Sequence, residues 1–413
     1  MSEELTIERL GAQGDGIAAT AQGPVYVAFA LPGERVSVER KASRATLVEV
    51  LEPSPDRVAP ACRHFGVCGG CSLQHLIEPA YLDFKRERVI EALRSLRIET
   101  NVPATVRCAP ASRRRAVFTA RRTERGMLLG YNRALSHELV DIGECPILLP
   151  EIVAALPTLR HLAAIVASVG APFHVTVTAT QTGLDVAFSG SGKVNEEARA
   201  ATIRFAVAER LARVSVDGEI LIEPAKPTVA FGKAYVTPPP GAFLQAVPAA
   251  EAVMAALVRE HVGKARRVAD LFCGAGAFAL RLAEHAEVHA VEEDAAALAA
   301  LDRARRSTPG LKPVSVERRD LFRRPLTAKE LGRFDAVVFD PPRAGAEDQS
   351  KQIARSDVPR VAAVSCNPIS LARDLRILID GGYRLVSVTP VDQFLWSSHV
   401  EAVALLEKPK RRR

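Results

Sequence analysis

The sequence predicts an α/β protein: a doubly wound sheet at the C-terminal end, preceded by a small β-barrel and a central, cysteine-bearing α+β region. Three observations carry that reading. Strand-like and helix-like runs alternate after Pro238-Pro239-Pro240, short β-like runs separated by glycine turns precede Pro60, and three cysteines cluster just beyond them. Length and composition agree, since 413 residues with 48% hydrophobic and 25% charged side chains supply two to three domains with cores of their own. Aromatics are only 5%, so aliphatic packing must dominate.

In chain order, Leu5-Thr6-Ile7, a glycine loop from Gly11 to Ala18 and the run Pro24 to Ala28 open the first region. The turn Leu31-Pro32-Gly33-Glu34 and the runs Arg35 to Val38 and Ala45 to Leu51 complete it, and this spacing predicts a barrel over 1–58. The second region, 59–237, holds the cysteines, a helix around Phe84 to Leu96, and strands such as Phe173 to Thr180 and Gly183 to Phe188. The third, 238–413, predicts strands at Arg267 to Phe272, Val288 to Glu292, Phe334 to Phe339, Val361 to Ser365, Tyr383 to Thr389 and His399 to Leu406, with helices between. Open α/β sheets bind ligands beyond their strand C-termini, so the chemistry is expected there.

No run of about 18 uncharged apolar residues and no basic-then-apolar leader follows Met1, so neither a membrane span nor a secretory signal is expected and the expected location is the cytoplasm. Basic residues outnumber acidic ones 55 to 48, a surplus of 7 that favours polyanionic partners. Arg113, Arg114, Arg115, Arg121, Arg122, Arg125 and Arg133 surround the strand-like Ala116 to Ala120, a pattern that predicts guanidinium groups presented to phosphates. Lys408, Lys410, Arg411, Arg412 and Arg413 form a basic tail.

Seven cysteines without an export signal argue against a disulfide framework. Cys62, Cys68 and Cys71 stand as C-x5-C-x2-C, with glycines that let the backbone wrap a small object, and Cys145 in GECPILLP is the candidate fourth ligand. Zinc and an iron-sulfur cluster both satisfy that spacing. Cys108 and Cys273 are expected to be buried and inert.

At the first strand terminus, Asp270-Leu271-Phe272-Cys273-Gly274-Ala275-Gly276 continues to Ala279 as G-x-G-x-x-A, and Glu292 ends the next strand, where a carboxylate can accept from ribose hydroxyls. This pair predicts a nucleoside-containing cofactor, either a nicotinamide dinucleotide or S-adenosylmethionine. Asp270 favours the latter, since an acid beside the loop suits a positively charged ligand. Two further termini carry Asp340-Pro341-Pro342-Arg343 and Ser365-Cys366-Asn367-Pro368. Arg343 stands where amino-methylating enzymes have an aromatic residue, which disfavours exocyclic-amine chemistry. Cys366 next to a helix N-terminus is placed where its pKa can fall. In Ser398-His399-Val400-Glu401, Glu401 is a candidate proton acceptor, and strand alternation would put His399 on its face.

Taken together these residues resemble the RNA uracil-C5 methyltransferases, in particular the iron-sulfur branch acting on 23S ribosomal RNA. The resemblance runs nearly end to end: Gly11 to Ala18, Leu31 to Glu34 and Arg57 to Pro60 are similar to the TRAM domain, and CRHFGVCGGCSLQHL with Cys145 to the family's four-cysteine [4Fe-4S] site. Phe243-Leu244-Gln245 is similar to its F-x-Q signature, DLFCGAGAF to its cofactor loop, DPPRAG and VSCNP to its active-site loops, and His399-Val400-Glu401 to its terminal signature.

The resemblance implies a class I S-adenosylmethionine-dependent catalytic domain, with Cys366 as nucleophile, Glu401 as base, and Gln245, Phe272, Ala277, Glu292, Asp320 and Asp340 contacting the methyl donor. It implies a [4Fe-4S] cluster on Cys62, Cys68, Cys71 and Cys145, and an RNA substrate, 23S ribosomal RNA first and transfer RNA as the alternative. A monomer with no protein partner is expected. Thiolate addition at uracil carbon 6 would make carbon 5 nucleophilic, and proton removal would then release the product. The chain departs from the family pattern at Val247, Ala277, Ser370 and Leu395-Trp396. Two rivals are a nicotinamide-dependent oxidoreductase, which leaves the cysteine cluster and the SCNP loop unexplained, and a catalytically silent RNA-binding protein.

Overall fold

A computed structural model describes residues 2–134 and 136–409. The basic tail at Lys410 to Arg413 lies outside the described residues, whereas Lys408 is docked, its ammonium donating to the carbonyls of Ala354 (2.8 Å) and Ser356 (2.6 Å). Three principal sheets succeed one another along the chain.

The first has six strands in the order Glu3–Thr6, Arg35–Lys41, Arg44–Glu52, Val25–Val27, Gly16–Ala18, Arg9–Leu10. Alternation along Arg35–Lys41 turns Val36 and Val38 into a core shared with Leu5, Ile7, Val25 and Val27. Gly16 has no Cβ because one would lie 2.7 Å from the Ala30 carbonyl oxygen. Buried Glu34 fastens this unit to the segment entering the cysteine region, accepting from the Leu31 N–H (2.8 Å) and from Arg57 Nη2 (2.8 Å).

The second sheet has seven strands in the order Glu219–Ile222, Arg213–Val216, Gly183–Ser189, Phe173–Thr180, Arg115–Thr123, Gly126–Asn132, Leu139–Asp141. Leu159, Leu162, Ala163 and Val166, on the helix Leu156–Val166, pack against its Phe118, Val175, Val177 and Phe188.

The third sheet forms the predicted α/β unit, in the order Val314–Arg318, Glu287–Glu292, Arg267–Leu271, Ala336–Phe339, Arg360–Ser365, Glu401–Glu407, Arg384–Val391. The first five strands are parallel and the last two run antiparallel to their neighbours. Both faces are covered, so alternate residues of one strand serve different cores. Val337 and Phe339 face the layer containing Leu371 and Leu375, while Ala336 and Val338 face Met254 and Val258 of the helix Pro248–Val262. The terminal strand starts at Glu401, so the alternation expected to pair it with His399 does not reach that residue, which lies in the preceding loop.

The helix Glu78–Ser95 joins the cysteine segment to the third sheet. Val89, Ala92 and Leu93 enter the core of that sheet, and Lys85 and Tyr81, both buried, reach Asp392. The Lys85 ammonium lies 2.8 Å from Asp392 Oδ1, the Tyr81 hydroxyl donates to the same oxygen at 2.6 Å, and the Trp396 N–H donates to Tyr81 Oη at 2.7 Å. Lys85 also donates to the carbonyls of Phe394 (3.0 Å) and His399. Among the described residues no helix is long and apolar enough to cross a membrane.

Removing one partner of a buried ion pair strands the other charge. Lys85→Met is therefore expected to destabilise the chain by about 3–5 kcal/mol, read from its urea or guanidinium unfolding midpoint. A midpoint equal to that of the parent chain would show that the clamp is dispensable.

Candidate active site

Four strand C-termini, at Leu271, Glu292, Phe339 and Ser365, and the start of the strand at Glu401 surround a cavity of about 570 Å³. The strand Arg267–Leu271 runs into Phe272 and Gly274, both at positive φ (60° and 52°), and then Gly276 at 97°. A Cβ on Gly276 would lie 2.9 Å from the Leu301 side chain, so the tight turn requires glycine there. The turn brings the Gly274 N–H to Glu292 Oε2 (2.9 Å), while Glu292 Oε1 accepts from the N–H groups of Glu293 (2.8 Å) and Asp294 (2.9 Å). Phe272 packs against Phe322 in a tilted arrangement, with ring centroids 5.4 Å apart and an interplanar angle of 56°.

Gln245, Phe272, Ala277, Glu292, Asp340, Cys366 and Glu401, all singled out from the sequence, line this one cavity. Asp320 does not. Its carboxylate caps the adjoining turn by accepting from the N–H groups of Phe322 (2.9 Å) and Arg323 (3.1 Å), and its neighbours Arg319, Leu321 and Phe322 line the cavity instead. Cys273 lines it too and is buried, as is Cys108 elsewhere.

Two carboxylates meet here through two amides. Gln245 Nε2 donates to Asp340 Oδ2 (2.8 Å), and Gln393 Nε2 donates both to Gln245 Oε1 (2.7 Å) and to Glu401 Oε2 (3.0 Å). Burial lifts the Asp340 carboxyl from an ordinary value near 3.8 to about 7, against the pull of the Gln245 donor. Glu401 is likewise pushed well up by burial and by the charge of Asp340.

Cys366 behaves contrary to the sequence expectation. Burial, then the charges of Glu401 and Asp340, raise its thiol to about 11, opposed by Arg343. The helix Pro368–Asp380 offers it little, because the Asn367 side chain already accepts the Ile369 N–H at that terminus (3.2 Å). Asn367 Nδ2 and Ser370 Oγ both donate to the Arg343 carbonyl (3.0 Å each), which ties the two active-site loops together. His399 is pushed down by burial and by Arg343, whose guanidinium lies 3.4 Å from its Nδ1.

The arginine cluster is also corrected. Arg114 is buried, paired with Glu251 at 2.6 Å, and donates to the Gln245 carbonyl (3.1 Å); Arg281 closes the same carboxylate at 2.7 Å. Arg115 donates to the carbonyls of Ala242 (3.0 Å) and Gly241 (3.3 Å). These two side chains brace the strap that carries Phe243 and Gln245 rather than offering themselves to phosphate. Arg121, Arg122, Arg125 and Arg133 are exposed.

Sequence reasoning missed Gln393, Glu251, Arg319 and Phe322. A lone glutamine in a loop carries no spacing signal, and the partner of Glu251 is read only when Arg114, from another sheet, arrives.

Cys62, Cys68, Cys71 and Cys145 converge on a second cavity of about 230 Å³, with Gln74, Arg113 and Tyr131 in its wall. Close approach of Gly69 permits it: a Cβ there would lie 2.8 Å from the Asn132 carbonyl oxygen. Burial raises all four thiols, Cys71 to about 12, with the neighbouring cysteines adding to its rise. Among the described residues, no group of three or more histidine, cysteine, aspartate or glutamate side chains is placed to hold a metal ion.

Residues 239–409 match the family described as tRNA (Uracil-5-)-methyltransferase. An uncharacterized RNA methyltransferase of Mesorhizobium japonicum is 61% identical over 100% of both chains. The 23S rRNA (uracil(1939)-C(5))-methyltransferase RlmD of Halomonas elongata is 35% identical, covering 98% of this chain and 89% of its own. The Pyrococcus abyssi tRNA (uracil-54, C5)-methyltransferase, solved with S-adenosyl-L-homocysteine, superposes with a TM-score of 0.76 at 23% identity over 98% of this chain and 99% of that one.

An acid whose folded pKa is raised contributes stability below its unfolded pKa and loses it as pH climbs through the folded value. Asp340→Asn removes that loss while keeping an acceptor for Gln245. Its melting temperature is expected to exceed that of the parent at pH 8 and to converge with it towards pH 4. Equal melting curves at pH 8 would contradict the burial of a charged Asp340.

Proposed function

The chain belongs to the RNA uracil-5-methyltransferase family, and on that premise we propose that it methylates uracil carbon 5 in 23S ribosomal RNA through a covalent adduct on Cys366. The family makes it an S-adenosylmethionine-dependent enzyme acting on RNA. The observation that carries the finer reading is the enclosure of one thiol and two carboxylates with raised pKa in a single cavity beside the glycine loop.

Gln245, Phe272, Ala277 and Glu292, with Asp340, would hold S-adenosylmethionine, which supplies the methyl group as an electrophile. We assign Arg319 and Phe322 to the same wall in place of Asp320. Burial raises the Cys366 thiol, so its proton must leave before attack, and Asp340 in the same cavity is the candidate acceptor. The sulfur then bonds to carbon 6, and the electron pair of the 5,6 double bond moves towards carbon 5, which takes the methyl group. As it does so the bond from that methyl group to the sulfonium sulfur breaks, and its electron pair stays on the departing thioether. Glu401 next removes the carbon 5 proton. The electron pair of that C–H bond restores the 5,6 double bond as the C–S bond breaks and the thiolate leaves. Uracil must unstack to reach so enclosed a site, so the substrate presents it from a single-stranded or remodelled segment.

We read 1–58 as an RNA-binding unit of TRAM type, 59–237 as the cysteine-bearing domain and 238–413 as the catalytic one. The preference for 23S ribosomal RNA rests on the full-length relative from Halomonas elongata. Transfer RNA is the second reading. Four thiols lining one cavity suit a [4Fe-4S] cluster with one cysteine for each iron.

Cys366→Ser is expected to abolish methyl transfer, and RNA carrying 5-fluorouridine is expected to trap the parent enzyme as a methylated adduct stable to denaturation; full transfer by the variant would overturn the mechanism. Mapping 5-methyluridine in ribosomal and transfer RNA from cells lacking the gene decides the substrate. Anaerobically purified protein is expected to be brown with about four irons per chain, and stoichiometric zinc without iron would refute the cluster.

A further inference from the structure

Gln393 was invisible to motif reading, yet its side-chain nitrogen joins Gln245 to Glu401. We propose that Gln393 is the positioning residue for proton abstraction: its side-chain nitrogen holds the Glu401 carboxylate and the Gln245 amide in a single arrangement, keeping the base oriented towards carbon 5. This role rests on the reading of Glu401 as that base.

Three observations carry it. First, the residue is fixed from both sides. Asp392 is held by Lys85 and Tyr81 and donates its N–H to the Val106 carbonyl (2.9 Å), and the Phe394 carbonyl accepts from Lys85 (3.0 Å). The intervening side chain is therefore set by buried charges rather than by a mobile loop. Second, its amide has one satisfactory orientation when Glu401 is ionised, the state in which that carboxylate can accept a proton. Reversed, its oxygen would face Glu401 Oε2 and Gln245 Oε1, both acceptors in the observed network. Third, Gln393 is 1% exposed and its carbonyl oxygen is buried without a hydrogen-bond partner. An orphaned buried acceptor is unfavourable. The arrangement thus gives up a bond on the oxygen in order to keep both donations from the nitrogen.

The consequence is kinetic. Attack by Cys366 and methyl transfer do not use the Glu401 carboxylate, whereas loss of the carbon 5 proton and expulsion of the thiolate do. Without Gln393 Nε2, enzyme should therefore pile up after methylation and before release.

The test uses the full-length chain, methyl-tritiated S-adenosylmethionine and total RNA from cells lacking the gene. After nuclease digestion, label retained on denatured protein measures the methylated adduct, and label in free nucleosides measures product. Gln393→Met keeps length and removes the amide, and Gln393→Leu serves as a second apolar replacement should the first fail to fold, with melting temperature as the check. The expected result is kcat lower by about tenfold or more, KM for RNA within about threefold, and label accumulating on the protein, as it should in Glu401→Gln. Turnover at the parent rate, or slower turnover with no label on the protein, would overturn the role of Gln393. If Glu401→Gln itself leaves no label on the protein, the assignment of the base fails first and takes this inference with it.

Discussion

Two carboxylates and a thiol, Glu401 buried and Asp340 and Cys366 half-buried, share one cavity, and the electrostatic strain of that arrangement shapes what surrounds it. Asp340 and Glu401 each raise the other or the thiol, and burial acts on all three in the same direction, towards the uncharged form. Relief comes from neutral donors. Gln245 and Gln393 supply amide N–H groups to the two acids, so the pair is tempered without a cation in contact with either. Arginine is kept one step back: Arg343 acts on the thiol, while Arg114 is neutralised by Glu251 and donates through Nε to the Gln245 carbonyl.

This arrangement draws on the central sheet, the cysteine segment and the helix Glu78–Ser95 as well as on the third sheet. The central sheet contributes Arg114 and Arg115, which brace the strap leading to Gln245. The cysteine segment contributes the N–H groups of Ser72 and Leu73, both directed at the Trp396 carbonyl (2.9 and 3.0 Å), just after Cys71. The helix Glu78–Ser95 contributes the charge and hydroxyl that hold Asp392. Trp396, at φ 57°, sits where these constraints converge, which accounts for a backbone conformation its side chain would not choose. The departures at Leu395 and Trp396 thus fall in a packed hinge between units, with Leu395 buried beside Leu73 and Tyr81.

What could be read in the sequence was whatever depends on neighbours in the chain. Apolar runs ending in DPPR and SCNP sit where strands end, because a parallel strand buried on both faces must be a continuous apolar run and its polar chemistry can begin only past the last rung. The cysteines converged as their glycines suggested. What failed depended on partners far away. Nothing local shows that Arg114 will meet Glu251, that Asp320 will turn its carboxylate to its own backbone, or that Asn367 will use the N–H groups that were to favour a thiolate. Gln393 escaped notice for the same reason, since its importance lies wholly in two acceptors that the fold delivers.

The hydroxyl of Tyr81 and the acceptor it serves on Asp392 are 311 residues apart in the chain. During synthesis the helix bearing Tyr81 and Lys85 leaves the ribosome long before its counter-ion exists, and a buried ammonium cannot settle without one. Assembly of the reactive centre is therefore postponed until Asp392 has been synthesised. A truncated nascent chain, whatever RNA its early strands touch, has no means of modifying it.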